Sequence, residues 1–302
     1  MKVLVTGATG FLGTHLVKRL KSLGWDVYIS NTKHANLKRF ENLQCFDTKF
    51  DYIFHLAAVT KAGDYCLKNP ATQWIENQTI NTNILRYWVE FQPQAKMICM
   101  GTSCSYEPEI HMTEDNYLLG EPDEGLYTYA MTKRMLLNGL KAIEKQHNLQ
   151  WLYFIPSTLY GPDFELDDNH FIFDFVRNCY NAKHKGEKFV VWGDGKQRRE
   201  LIYVDDAIDA MLNLIPYDNQ VFNLGSGEDN SINEFASIVS DCLYYDASLI
   251  EHDLTKYVGV KGKKIDTKKV LEYLNGETFI KTSLRDGIQK CVDYYADAVK
   301  DI

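Results

Sequence analysis

Residues 2–13 read Lys2-Val3-Leu4-Val5-Thr6-Gly7-Ala8-Thr9-Gly10-Phe11-Leu12-Gly13. The first five make a short apolar run that stops at Gly7, the form taken by a buried parallel strand. From Phe11 onward, Leu12, Leu16, Val17, Leu20 and Leu23 recur at helical spacing, and Gly24 stands where the helix should end. A strand that turns through glycines into a helix aims helix N–H groups at one point, where an anion can sit. Gly7 permits the tight turn, Gly10 lets backbone approach a pyrophosphate, and Gly13 lets the helix close on the sheet. Glycine turns are common. Their position at the first strand–helix junction is what points to a dinucleotide seat built from Gly7, Thr9, Gly10, Phe11, Leu12 and Gly13.

The same alternation continues outward from this loop. Residues 27–29 and 52–56 read as strands, 71–91 as a long helix stopped by Pro93, and 96–100 as another strand. A helix over 128–146 and a strand over 151–155 follow. Strands alternating with helices predict an α/β fold with a doubly wound parallel sheet covered on both faces. After Pro156 the rhythm changes. Residues 161–200 mix Pro, Gly and acidic residues with a helical stretch at 171–182, and later helices are expected at 204–214, 232–243 and 284–299, with a strand at 221–224. We therefore expect a dinucleotide-binding domain over 1–160 and a smaller mixed substrate domain over 161–302, with some later segments returning to the first.

A formal charge of -8 over 302 residues argues against a nucleic-acid binder, which would present a basic face. No stretch approaches the roughly 18 consecutive apolar residues of a membrane span, and no charged-then-apolar leader precedes the first strand. Seven scattered cysteines without a CxxC pair fit reduced thiols in a cytoplasmic protein and supply no metal site.

Tyr129-Ala130-Met131-Thr132-Lys133 lies in a predicted helix, where a four-residue spacing puts both side chains on one face. A tyrosine titrates near 10, and a nearby ammonium is expected to bring that value down toward neutrality. The pair can then exchange a proton with a carbonyl or alcohol while a nicotinamide exchanges hydride. At the end of the second strand, where NAD binders carry an acid for the ribose, stand Ser30, Asn31 and Thr32, followed by Lys33 and His34. Neutral Asn31 beside Lys33 favours NADP(H) over NAD(H).

With these motifs in order, the chain resembles the extended short-chain dehydrogenase/reductases, in their nucleotide-sugar epimerase/dehydratase group. The resemblance runs through Thr6 to Gly13, His55-Leu56-Ala57-Ala58, Tyr129 to Lys133, Leu159-Tyr160-Gly161-Pro162, Arg199-Glu200, Tyr203-Val204-Asp205-Asp206 and Asn223-Leu224-Gly225-Ser226-Gly227. It implies a Rossmann-type first domain, with Leu56, Ala57 and Ala58 beside the cofactor. It implies a catalytic hydroxyl from Thr102, with Ser103 as the fallback, assisting Tyr129. The dehydratases of the group follow that Thr with an Asp-Glu pair, whereas this chain has Ser103 and Cys104, so simple dehydration is not expected.

The segment 101–106 is instead similar to the GDP-L-fucose synthase branch, which also carries a His corresponding to His170. This implies acid/base work by Cys104 and His170 at the carbons beside a 4-keto group, a GDP-linked sugar, and a homodimer formed through the helices near 71–91 and 128–146. Trp74, Tyr87 and Trp88 are open to either core or interface. Trp192 and Arg199 match the group's nucleotide-binding turn, and Arg177 is a further candidate for phosphate. The loop between Gly161-Pro162 and His170 is shorter than in that branch. An enzyme that acts only at C4, with Cys104 and His170 as vestiges, stays open; an NAD-retaining 4-epimerase or 4-dehydrogenase is the rival reaction, and a non-catalytic cofactor-binding regulator the rival of another class.

Overall fold

The N-terminal apolar run forms β1 (Lys2–Thr6), with Val3, Leu4 and Val5 fully buried, as two covered faces require. The computed structural model describes residues 1–31, 33, 35–60, 65–256 and 258–300. After β1 come α1 (Phe11–Ser22), β2 (Asp26–Ser30), β3 (Tyr52–His55), a short α2 (Tyr65–Lys68), α3 (Pro70–Phe91), β4 (Lys96–Met100), α4 (Tyr127–His147) and β5 (Trp151–Pro156). Pro70 opens α3 at a position where its missing N–H costs nothing. Gly24, at φ +75, turns the chain out of α1 as expected.

β1 to β5 join a later strand, β9 (Gln220–Leu224), in one six-stranded parallel sheet of order β2-β1-β3-β4-β5-β9. The chain moves outward from β1 to β2, then crosses back to add β3 on the other side. That reversal opens a crevice at the carboxyl ends of β1 and β3, the place where doubly wound sheets bind ligands. Leu16 and Leu20 of α1 pack on one face of the sheet, and Ile84 and Trp88 of α3 with Leu137 and Leu140 of α4 on the other. Each such fully buried side chain contributes about 1.5–3 kcal/mol to folding.

Where the sequence loses its rhythm, the structure inserts short elements: β6 (Thr158–Tyr160), α5 (Phe171–Lys185), β7 (Val190–Trp192), β8 (Arg198–Tyr203), α6 (Val204–Asn213), and after β9, β10 (Asp229–Ser231) and α7 (Ile232–Leu243). β11 (Glu251–Asp253), β12 (Gly262–Lys263), α8 (Lys268–Tyr273) and α9 (Leu284–Ala298) complete it. β6, β8, β10 and β12 make a second small sheet, and β7 pairs with β11. α5, α7 and α9 share a third apolar cluster that includes Phe173, Phe235 and Ile288. α6, by contrast, packs in the same cluster as α1, so residues 204–224 lie in the layers of the large sheet. No helix among the described residues is long and apolar enough to cross a membrane.

Candidate active site

The three glycines of the first loop are needed for three different reasons. A Cβ on Gly7, at φ +67, would stand 2.7 Å from the Ala57 nitrogen, so the tight turn brings residues 56–58 against the loop. A Cβ on Gly13 would stand 2.1 Å from the Gly7 carbonyl, so α1 could not close on β1. A Cβ on Gly10 would meet only the Gly7 oxygen at 3.5 Å. Among the described residues nothing else requires glycine there; it keeps the outer side of the loop clear, where a pyrophosphate would lie. α1 begins with no side-chain cap and no acidic residue in its first turn, leaving its positive end to an anion. These residues fit a dinucleotide. The Phe11 ring packs edge-on against Phe173 at 5.6 Å, which leaves only its backbone at the loop. Leu12 packs against the core cluster of α1, and Thr9 is exposed on the loop.

Tyr129 stands in the first turn of α4, half-buried, with the Lys133 Nζ 5.9 Å from its ring centroid. The expected lowering of the tyrosine pKa does not occur in this structure. Burial, together with the nearby Cys104, Tyr117 and Cys66, pushes the Tyr129 phenol well above its ordinary value, against the opposing effect of a hydrogen bond with Thr102. Burial also brings Lys133 down to about 8, and its amine donates to the Met100 carbonyl at 2.9 Å. Thr102, at the end of β4, accepts from the Cys104 N–H at 3.2 Å while reaching Tyr129, so it satisfies backbone and faces the phenol at once. Ser103 is 4% exposed and lies in the short turn after β4.

A directed chain of hydrogen bonds fixes this group. The Thr102 N–H donates to the Tyr117 hydroxyl at 3.4 Å, Tyr117 lies 3.1 Å from the Tyr153 hydroxyl, and Tyr153 donates to the Lys133 carbonyl at 2.7 Å. Gly101 makes room for it, since a Cβ there would stand 2.5 Å from the Tyr153 ring. His55 bridges Thr6 and Asn81 and is held near a pKa of 4 by burial, so it is a neutral tie.

Cys104 and His170 come together from distant segments. The His170 Nδ1 lies 2.6 Å from the Asp168 carboxylate. Burial would lower the imidazole pKa, but Asp168 and the charge of Cys104 outweigh it and the value is raised. Burial would raise the Cys104 thiol, yet Lys263, Thr102 and His170 outweigh it and the value is lowered. The two shifts run toward each other, which favours thiolate and imidazolium together. Lys263, whose Nζ lies 2.9 Å from the Cys104 sulfur, is the residue that sequence reasoning missed. Nothing local separates it from its neighbours Lys261 and Lys264.

The Arg177 guanidinium is occupied within its own segment. It donates to the carbonyls of Leu166 and Asp168, both at 3.0 Å, and to the Asn169 side chain and the Asp174 carboxylate. It braces the turn that carries His170. Arg199 donates to the Arg198 and Val260 carbonyls, both at 2.8 Å, and pairs in register with Lys263. That register ties the nucleotide-binding candidate to the Cys104 group. Trp192 is 55% exposed, with the Lys256 Nζ 5.6 Å from its ring, so it is an open aromatic face rather than core. Just past the end of β2, the Asn31 side chain accepts from the Lys33 N–H at 2.9 Å, and Lys33 is exposed; Thr32 and His34 lie outside the described residues. Tyr87 and Trp88 are core, whereas Trp74 keeps 39% of its surface exposed.

Residues 3–225 match a family described as the NAD-dependent epimerase/dehydratase family. The chain belongs to that family. The resemblance drawn from its motifs is borne out, and a non-catalytic regulator is set aside: this is an NAD(P)-dependent enzyme. It is similar to GDP-L-colitose synthase of Yersinia pseudotuberculosis, 28% identical over 98% of this chain and 98% of that protein. GDP-L-fucose synthase 1 of Arabidopsis thaliana is 29% identical over 97% of this chain and 93% of that one. Among solved structures, a GDP-L-fucose synthetase from Naegleria fowleri bound to NADP is 26% identical, with a TM-score of 0.86 over 98% of this chain and 92% of that one. The doubly wound fold expected from strand–helix alternation agrees with this likeness.

Proposed function

We propose that this NAD(P)-dependent nucleotide-sugar enzyme reduces C4 of a GDP-linked 4-keto sugar with NADPH and epimerises C3 and C5 beforehand. The observation that carries the reading is the Cys104–His170 pair near Tyr129, with the Lys263 Nζ 2.9 Å from the thiol sulfur and the Asp168 carboxylate 2.6 Å from the imidazole. A 4-keto group acidifies the hydrogens on both neighbouring carbons, and inversion needs a base on one face and an acid on the other. Cys104 as thiolate takes the proton, and His170, held protonated by Asp168, returns one to the opposite face. Thr102 and Tyr129 hold the C4 oxygen, and the phenol, kept protonated by burial, donates to it. The bound nicotinamide supplies the hydride chemistry at C4. Lys133 organises the end of β4 through Met100 and orients the cofactor ribose.

NADP(H) is supported by neutral Asn31 with Lys33, and by the NADP-bound relative. The GDP group is supported by the names of the similar proteins, with Trp192 packing on the base and Arg199 on the diphosphate. The division near residue 160, with 204–224 returning to the first domain, belongs to the same reading. So does a cytoplasmic homodimer joined through α3 and α4, where Trp74, Ile75 and Tyr127 leave apolar surface exposed.

Incubation with GDP-4-keto-6-deoxymannose and NADPH in deuterated water tests the reaction. Deuterium at C3 and C5 with consumption of NADPH is the expected result. Without label the epimerase part fails, and without NADPH consumption the reductase part fails. Tightly retained NAD would instead favour the 4-epimerase or 4-dehydrogenase reading.

A further inference from the structure

β12 consists of Gly262 and Lys263 alone, and two residues of ladder against Arg198 and Arg199 are too few to hold a side chain at a chosen point. The chain is pinned immediately afterward. The Ile265 N–H donates to one Glu200 carboxylate oxygen at 3.0 Å, and the Gly227 N–H donates to the other at 2.8 Å. Glu200 is 2% exposed, and a Cβ on Gly225 would stand 2.4 Å from its oxygen, so that glycine keeps the space the carboxylate occupies. One residue further, the Asp266 carbonyl accepts from the Asn223 amide at 2.9 Å, and its N–H donates to Met112 at 3.0 Å. Lys263 is therefore held by its short ladder and by the pinned residues just after it, and from there its ammonium meets the Cys104 sulfur at 2.9 Å.

We propose that Lys263 and Glu200 are positioning residues, Glu200 locking the strand end so that Lys263 holds Cys104 as a thiolate before any substrate arrives. This rests on the reading of Cys104 as the base for C3 and C5. Among the described residues, the groups facing the thiol are Lys263 from β12, His170 from the turn before α5, Thr102 from the end of β4, Tyr129 from α4 and Cys66 from α2. Burial keeps the Tyr129 phenol and the Cys66 thiol in their neutral forms. His170 is already paired with Asp168. An ammonium in contact with a sulfur favours the thiolate by about 1–3 pH units.

The test measures iodoacetamide alkylation of Cys104 by mass spectrometry across pH, in full-length protein without substrate. A Cys45→Ser background removes the other exposed or half-exposed thiol among the seven. The proposal expects the Lys263→Met midpoint to rise by about 1–3 pH units, slowing alkylation at pH 7 by about tenfold or more. Lys263→Arg, which keeps the charge, is expected to stay near the parent, and Glu200→Gln to move partway toward Lys263→Met.

An unmoved midpoint in Lys263→Met overturns the proposal, including when its thermal midpoint falls, since that would mark a purely structural lysine. So does a Lys263→Arg midpoint displaced as far as that of Lys263→Met. Because the readout involves no sugar, failure here leaves the epimerase reading standing. Failure of deuterium incorporation would leave this result standing in turn.

Discussion

The Tyr129–Lys133 group and the Cys104–His170–Lys263 group lie side by side and are built in opposite ways. The first comes from one helical turn and one strand end, and backbone carbonyls and buried hydroxyls hold it. Its groups are pushed by burial toward their neutral forms. The second joins residues up to 159 positions apart, and charges hold it. Burial opposes each of its shifts and the neighbouring charges override it. A dry, locally built centre tolerates change in distant loops, whereas a charged centre assembled from three loops depends on each of them. On the proposed function, reduction at C4 should therefore be the robust half of the reaction, and epimerisation the fragile half.

The largest effect should come from Tyr129→Phe, which removes the proton donor of the shared step. We expect turnover of NADPH to fall about 10²–10⁴-fold with the far-UV dichroism unchanged. A variant retaining full turnover would break the comparison at its first term. Next, Cys104→Ser should slow deuterium entry at C3 and C5 by about 10²-fold or more, while a substrate already epimerised is still reduced. Equal loss of both activities would mean that the two groups act as one.

The pH dependence sharpens the contrast. Cys104 works deprotonated, so deuterium entry should rise as pH passes its lowered pKa. His170 works protonated, so entry should fall as pH passes its raised pKa. Asp168→Asn removes the charge that raises His170 and should move the falling limb down by about 1–3 pH units. An unmoved limb would release His170 from the role. In Lys33→Ala, loss of a charged contact to the 2′-phosphate should weaken NADPH about tenfold and leave NADH unchanged, as read by fluorescence titration.

The smallest effect is expected of Arg177→Met. GDP affinity should stay within about twofold, while the thermal midpoint drops by about 2–4 °C as the 166–169 turn loses its brace. A large loss of GDP affinity would restore Arg177 to the nucleotide.

Much of the first group was legible in the chain because its signals are local. The strand at 96–100 and the helix at 232–243 coincide with β4 and α7, since strand and helix periods are written in consecutive residues. Gly7 and Gly13 could be read because a tight turn and a close packing each exclude a side chain wherever they occur. Trp192 and Arg177 could not be weighed in the same way. Whether an aromatic is core or open, and whether a guanidinium faces a ligand or its own loop, depends on chain far away in sequence.

By itself, then, the sequence determined the alternating sheet and helices, the glycine turn at Gly7 to Gly13, and the placing of Tyr129 and Lys133 on one helix face. Each rests on spacing within a few residues, which the chain carries before it folds. Only the tertiary structure decided that Tyr129 keeps its proton, that Arg177 serves the His170 turn, and that Lys263 meets Cys104. Proton affinities and ion pairs depend on burial and on charges brought from other segments, and those are set when the layers close.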